Sequence, residues 1–149
     1  MRTNVIAVPA THVNRHAIEI LLTSQKLPVE DLPASLENFW IVADQGEVVG
    51  VAGFELHQPF ALLRSLAVQP DHRNLGIGDI LVRTVEEQAV KLNLEGIYLL
   101  TETAKPYFEK RGYSTVERGS VPDPIKQSSE FSHTCPVSAA VMQKKISGE

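Results

Sequence analysis

Arg73, Gly76 and Gly78 are the residues whose types and spacing first suggest chemistry. Arg73 and Gly76 follow an apolar run, Phe60–Val68, and Gly78 begins a segment, Gly78–Leu92, in which apolar residues recur at helical spacing. The first backbone N–H groups of a helix have no partners inside it and attract anions. Glycines let the backbone approach a ligand closely, and the arginine adds positive charge. The pattern predicts a site for a pyrophosphate group.

Two other phosphate-binding loops do not fit these residues. A P-loop requires Lys and then Ser or Thr after its last glycine, but Gly78 is followed by Asp79. The dinucleotide pattern G-x-G-x-x-G requires a third glycine at position 81, which is Leu81. The pattern that does fit, R-x-x-G-x-G, runs from Arg73 to Gly78.

This pattern resembles the acyl-CoA pyrophosphate loop of the GCN5-related N-acetyltransferase (GNAT) family, Q/R-x-x-G-x-G/A. The preceding LAVQPDHR is similar to the family's L-x-V-x-P-x-x-R, and AKPYFEKRGY at 104–113 is similar to its second block, A-x-x-F-Y-E-K-x-G-F. The resemblance implies an acetyl-CoA-dependent N-acetyltransferase. It also implies that the acetyl group passes directly from acetyl-CoA, as co-substrate, to a primary amine. An arginine on the predicted central strand, Arg64, favours a small amino acid-like acceptor, while a polyamine, an aminoglycoside and a protein N-terminus stay open.

The resemblance also implies the fold, an α+β domain over residues 1–149 with α/β/α layers. Its central sheet would be mixed, mostly antiparallel, of six to seven strands, splayed between the fourth and fifth and flanked by helices. The apolar patterns predict helices at 11–26, Gly78–Leu92 and Ala104–Arg111, with Thr103 as the N-cap of the third. The apolar face of the first helix would consist of Val13, Ala17, Ile20, Leu21 and Leu22, and that of the second of Ile77, Ile80, Leu81, Val85, Ala89 and Leu92. They predict strands at Val5–Val8, Phe39–Ala43, Glu47–Leu56, Phe60–Val68, Gly96–Leu100, Tyr113–Glu117 and Ala139–Ile146.

Matching positions in the family imply the contacts with acetyl-CoA. Main-chain groups of β-strand residues would meet the pantetheine, and the loop would meet the pyrophosphate. The implied cofactor-binding residues are Leu66, Ala67, Val68, Arg73, Asn74, Leu75, Gly76, Ile77, Gly78, Asp79, Thr103, Phe108 and Lys110.

The expected acid of the reaction is displaced by one residue. The family usually has a tyrosine directly before Glu-Lys, where this chain has Phe108, and Tyr107 precedes it. One helical step rotates a side chain by about 100°. Catalysis by Tyr107 and packing of its ring in the core both stay open.

Arg64 lies on the predicted central strand, in phase with apolar residues at 60, 62, 66 and 68. A buried charge requires a partner. Arg64 either forms an ion pair with Glu55 on the neighbouring strand or binds the anionic group of the acceptor. Glu55 and Glu102 are candidate bases, and for Glu102 the alternative is an exposed charge near a helix start.

The composition limits the remaining classes of function. The net charge of −4 without blocks of like charge argues against nucleic-acid binding, and no apolar run is long enough to span a membrane. We therefore expect a cytoplasmic protein, with a homodimer possible. Cys135 is the only cysteine and is expected to be a structural thiol, and the five histidines are scattered, so no metal is assigned.

Two alternatives for the function stay open at this point. One is a catalytically weak module that binds or senses acyl-CoA, and the other is a protein N-terminal acetyltransferase. The C-terminal stretch EFSHTCPVSAAVMQK is similar to that of small acetyltransferases associated with bacterial arsenic-resistance genes.

Overall fold

The structure, a computed structural model, describes residues 6–27, 29, 32–73, 75–101, 104–126 and 139–146. The helices in these ranges are α1 (Arg15–Ser24), α2 (Ile77–Lys91), α3 (Lys105–Lys110) and α4 (Asp123–Lys126). The strands are β1 (Val8–Pro9), β2 (Phe39–Asp44), β3 (Glu47–His57), β4 (Phe60–Val68), β5 (Gly96–Thr101), β6 (Ser114–Val116) and β7 (Ala140–Lys145).

The strands form one seven-stranded open sheet in the order β1-β2-β3-β4-β5-β7-β6. Strands β4 and β5 are parallel, with residues 60–62 paired to residues 96–98 at the start of both strands. The pairs β1–β2, β2–β3, β5–β7 and β6–β7 are antiparallel. The predicted mixed sheet with flanking helices is confirmed.

Contacts within the chain divide it into two compact units. The first comprises Met1–Phe54 and Ser65–Glu87, and the second comprises Glu55–Arg64 and Gln88–Glu149. Strands β3 and β4 and helix α2 contribute residues to both. The prediction of a single domain over residues 1–149 is not tested by this division and stays a prediction.

The first unit has its core between α1 and the β2–β3 hairpin. The hairpin turns through Gln45 and Gly46, whose φ angles of +53° and +83° are those that a tight primed turn requires. The core is formed by Ala10, Ile18, Leu21, Leu22, Leu32, Leu36, Phe39, Ile41, Val48, Val51 and Ala67.

Helix α1 presents a different face from the one predicted. Val13 and Ile20, both assigned to the buried face, are 75% and 57% exposed. Val13 lies in a separate 3-10 turn, His12–Asn14, which breaks the helical phase. Oδ1 of Asn14 accepts a hydrogen bond at 2.9 Å from the N–H of Thr11, the N-cap residue of that turn. Ile20 lies about 200° around the helix from the buried Ile18. The first strand also differs, since β1 begins at Val8 and includes Pro9, while Val5 lies outside the described residues.

Helix α2 packs closely on the sheet at Gly50. A Cβ at Gly50 would lie 2.7 Å from Cγ2 of Ile77 and 3.1 Å from Cδ1 of Leu81, so the glycine makes room for the first turn of the helix. The predicted apolar face is buried at Ile77 and Leu81 and further along the helix, but Leu92 is 38% exposed because α2 ends at Lys91.

The second unit has its own core, in which the rings of Phe60 and Tyr98 meet edge to face with centroids 5.5 Å apart. Its buried residues are Leu62, Tyr98, Val121, Ile125 and Val141. Helix α3 is shorter than predicted: its N-cap is Ala104, whose N–H donates to Thr101 Oγ1 at 3.0 Å. Thr103, the predicted N-cap, lies outside the described residues, as does most of the C-terminal stretch with Cys135.

Candidate functional site: the loop between β4 and α2

The end of β4 leads into a 3-10 turn, Pro70–His72, and then through Arg73 to α2. Gly76 has a φ of +83°, which favours glycine, and a Cβ placed there would meet no atom within 4 Å. The carbonyl of Gly76 accepts the hydrogen bond from the N–H of Ile80 at 3.1 Å. The glycine therefore stands at the entrance to α2, with open space beside it, as an anion-binding helix N-terminus requires.

The carbonyl of Val68 is already engaged by two side chains. Nε2 of Gln25 donates to it at 2.6 Å and Nε of Arg73 at 3.2 Å. This arrangement ties the exposed Arg73 to the end of β4. A ligand that pairs with this part of the strand would have to use main-chain groups other than that oxygen.

Ser65 interrupts the regular alternation of β4. Its φ of +60° is uncommon for a residue other than glycine, and the residue is buried at 9% exposure. Because an extended strand requires negative φ, the face predicted to run unbroken through Arg64, Leu66 and Val68 is broken at this residue. Leu66 and Val68 are half-buried, while Ala67 between them is buried.

His72 lies between two carboxylates in the same unit. Its Nε2 is 3.0 Å from Oδ2 of Asp44 and its Nδ1 is 2.9 Å from Oδ1 of Asp71. The bond with Asp44 is the main cause that raises the pKa of His72 above its ordinary 6.5, and the bond with Asp71 adds to it. No signal in the sequence joined residues 44 and 72, which are distant along the chain.

Arg64 and Glu55 form an ion pair in the second unit. Nη1 of Arg64 donates to Oε2 of Glu55 at 2.6 Å, and the side chain of Arg64 is 0% exposed. Of the two alternatives for Arg64, the structure therefore favours the ion pair. A role of Arg64 in binding substrate stays a prediction, which the burial of its side chain does not favour.

Glu55 also bonds His57, whose Nε2 lies 2.9 Å from Oε1 of the carboxylate. Burial raises the pKa of Glu55, but the hydrogen bonds and charges of His57 and Arg64 lower it, and the result lies below the ordinary 4.5. Sequence reasoning missed His57. The spacing Glu55-x-His57 on a strand, which places both side chains on one face, was the available signal.

Tyr107 and Phe108 differ in accessibility. Phe108 is 4% exposed and its ring lies edge to face against both Tyr107 and Tyr113, at 5.1 and 5.4 Å. Tyr107 is half-buried, with the guanidinium of Arg111 5.0 Å from its ring centroid. The implied contact of Phe108 with acetyl-CoA thus falls on a core residue, whereas Lys110 is exposed.

The remaining predicted residues fall into two groups. Asn74, Glu102 and Thr103 lie outside the described residues. The structure describes the other predicted residues of this connection at the end of β4 and around the start of α2, and they are Leu66, Ala67, Val68, Arg73, Leu75, Gly76, Ile77, Gly78 and Asp79.

Two further features concern the described ranges only. They contain no group of three or more His, Cys, Asp or Glu side chains placed to hold a metal ion. Among the helices in these ranges, none combines the length and the apolar character of a membrane span.

Residues 13–113 match the model of the acetyltransferase (GNAT) family. The chain belongs to this family. The family predicted from the motifs is thereby confirmed.

This chain is also similar to named relatives and to solved structures. An amino-acid acetyltransferase of Pasteurella multocida (strain Pm70) is 25% identical over 118 residues, which are 78% of this chain and 27% of that protein. The N-acetylglutamate synthase of Neisseria gonorrhoeae, solved with coenzyme A and N-acetyl-glutamate, superposes with a TM-score of 0.83 at 16% identity. The match covers 99% of this chain and 36% of that one.

A third similar protein has nearly the same length as this chain. Rv2747 of Mycobacterium tuberculosis, solved in complex with CoA, superposes with a TM-score of 0.80 at 21% identity and covers 94% of this chain and 98% of its own. At these identities the two structural likenesses show the GNAT fold. The match spans about a quarter of the length of the amino-acid acetyltransferase of Pasteurella multocida.

Proposed function

We propose that this GNAT protein transfers the acetyl group of acetyl-CoA directly to the primary amine of a small amino acid-like acceptor. The observation that carries the proposal is the connection from β4 to α2, where Gly76, at φ +83°, opens the helix N-terminus to a ligand. The similarity to proteins named amino-acid acetyltransferase supports the acceptor class.

The donor end of the reaction is assigned to the first unit. Backbone N–H groups from Gly76 to Asp79 hold the pyrophosphate, and Arg73 adds positive charge beside them. Asp79 takes part through its N–H, because its carboxylate would repel an anion. Main-chain groups from Leu66 to Val68 meet the pantetheine, and N–H groups there polarise the thioester oxygen. Acetyl-CoA supplies the acetyl group and a thiolate leaving group.

Removal of the amine proton is assigned to Glu55 acting with His57. A carboxylate whose pKa is below 4.5 is a weak base by itself. The imidazole that it holds at 2.9 Å provides a second proton acceptor on the same strand. In this scheme Arg64 is a positioning residue, since its bond to Oε2 leaves Oε1 directed at His57.

Protonation of the thiolate is assigned to Tyr107. It is the half-buried tyrosine of the second motif, and its ring contacts the ring of Phe108 and the guanidinium of Arg111. Phe108 itself carries no proton donor.

The test is a panel of acceptors mixed with acetyl-CoA and the purified chain: the common amino acids, a polyamine, and peptides with free N-termini. Free CoA is measured with a thiol reagent and the products by mass spectrometry. We expect CoA release with at least one amino acid and a product carrying one added acetyl group. Release only with peptides would instead establish a protein N-terminal acetyltransferase. Binding of acetyl-CoA without release for any amine would establish a sensing module.

A further inference from the structure

Both ring nitrogens of His72 face a carboxylate oxygen. Asp44, at the end of β2, lies 3.0 Å from Nε2, and Asp71, in the same 3-10 turn as the histidine, lies 2.9 Å from Nδ1. Ionised carboxylates only accept hydrogen bonds, and a neutral imidazole has a single N–H. Both bonds can therefore form together only when the ring carries two protons and a positive charge.

A neutral imidazole ring would be unfavourable in this position. Deprotonation at either nitrogen would direct a lone pair at a carboxylate oxygen about 3 Å away, and one of the two bonds would be lost. The raised pKa of His72 agrees with this geometry: the hydrogen bonds with Asp44 and then Asp71 raise it, and partial burial opposes them. The side chain is 19% exposed, so solvent protons reach it.

The ring lies where the loop meets the rest of the first unit. Together with Asp44, Leu75 and Ile77 it lines a cavity of about 30 Å³. Its own backbone closes the 3-10 turn through the bond from its N–H to the carbonyl of Gln69 at 2.9 Å. The next residue, Arg73, is the loop arginine.

The elements around the ring also carry charged groups at residues 47, 73 and 79. Glu47 of β3 accepts a hydrogen bond from Nε2 of Gln69 at 2.9 Å. Arg73 directs its Nε to the carbonyl of Val68. Asp79 lies in the first turn of α2, two residues after Ile77. The carboxylates of Asp44 and Asp71 are thus the groups in direct contact with the ring.

We propose that His72 is a positioning residue for acetyl-CoA: in its doubly protonated form it fastens the turn Pro70–His72 to the β2–β3 hairpin and so holds the pyrophosphate loop in its binding shape. The inference rests on the proposed function of that loop. Because the pKa is raised in the folded chain, the fastening is complete below the ordinary value of 6.5 and is lost as the pH rises through the higher folded value. Affinity for acetyl-CoA falls over the same range, while kcat at saturation changes little.

The experiment measures the dissociation constant of CoA by calorimetry from pH 6 to pH 9. We expect binding to weaken at the alkaline end by about tenfold, the worth of one charge-assisted hydrogen bond. His72→Gln should bind CoA weakly at every pH and should not show the weakening between pH 6 and pH 9. Asp44→Asn should show this weakening with its midpoint at a lower pH. His16→Gln, at an exposed histidine of α1, should match the parent chain. The phosphates of CoA titrate in the same way whichever of the four proteins is used, so they do not explain a difference between the profiles.

Identical profiles for the parent chain and His72→Gln would overturn the inference. Absence of CoA binding at any pH would instead refute the proposed function of the loop. The inference would then be decided without ligand, by amide hydrogen exchange: faster exchange at the N–H groups of His72 and Arg73 in His72→Gln supports it, and unchanged exchange overturns it.

Discussion

The guanidinium of Arg64 donates from Nη1 to Oε2 of Glu55 over 2.6 Å, with the arginine side chain 0% exposed and the glutamate side chain 20% exposed. The other carboxylate oxygen of Glu55 bonds His57 at 2.9 Å. Because each oxygen has a fixed partner, the carboxylate is held in one orientation. The arginine that the sequence offered as a ligand for substrate thus supports a neighbouring protein group.

Breaking this pair should destabilise the fold. Glu55→Gln removes the carboxylate that pairs with the buried guanidinium, and we expect a loss of about 3 kcal/mol in the free energy of unfolding, measured by urea denaturation. The exposed pair Arg15–Glu19, with 32% and 38% exposed side chains, is the control. Glu19→Gln should cost less than about 0.5 kcal/mol. Equal effects of the two substitutions would contradict the buried pair.

The same carboxylate should make stability depend on acid pH. The pKa of Glu55 is lower in the folded chain than its ordinary 4.5, because the bonds from His57 and Arg64 outweigh burial. Its contribution is present above about 4.5 and is lost as the pH falls through the lower folded value. The difference in unfolding free energy between the parent chain and Glu55→Gln should therefore shrink with acid. A constant difference down to pH 3 would show that Glu55 does not titrate as the ion pair requires.

Tyr107 provides a test of the proposed acid. Tyr107→Phe keeps the aromatic ring, so its packing against Phe108 and Arg111 should be retained. We expect kcat to fall by about a hundredfold, a usual loss for a general acid. Tyr113→Phe, at the buried tyrosine on the other side of Phe108, is the matched control and should leave kcat unchanged. Equal kcat values for both variants would remove Tyr107 from the chemistry.

Ser65 provides a test of the break in β4. At a φ of +60° a β-branched side chain is strained, so Ser65→Val should lower the free energy of unfolding by about 1–3 kcal/mol more than Ser65→Gly does. Ser114, an exposed residue of β6, is the control site at which valine should be tolerated. If valine and glycine have the same effect at position 65, the left-handed conformation there is not real.

Local patterns predicted the elements that carry the proposed acetyl-CoA site. The run Phe60–Val68 gave the bounds of β4 without error, and Gly76, at its positive φ, stands where the glycine pattern placed the helix entrance. These features are local: a strand run, a turn and a helix start follow from residues close together along the chain.

Contacts between distant residues could not be predicted in the same way. The carboxylate of Asp44 meets His72 across 28 positions, and Gln25 reaches the carbonyl of Val68 across 43. The choice between the two roles of Arg64 likewise depended on where the side chain of Glu55 turned. The break at Ser65 had no signal either, because serine does not mark a left-handed residue as glycine does.

The most direct test of the central claim is a calorimetric titration of acetyl-CoA into the parent chain, Gly76→Val and Gly119→Val. A Cβ at either position would meet no atom within 4 Å. The positions differ in φ, which is +83° at Gly76 and lies outside the left-handed region at Gly119. Valine at 76 is strained by about 1–3 kcal/mol and places a branched side chain where the phosphates approach. We predict binding by the parent chain and by Gly119→Val, and a loss of at least about tenfold in affinity in a Gly76→Val variant that still unfolds cooperatively. Unchanged affinity in folded Gly76→Val would contradict the assignment of this helix entrance as the acetyl-CoA site.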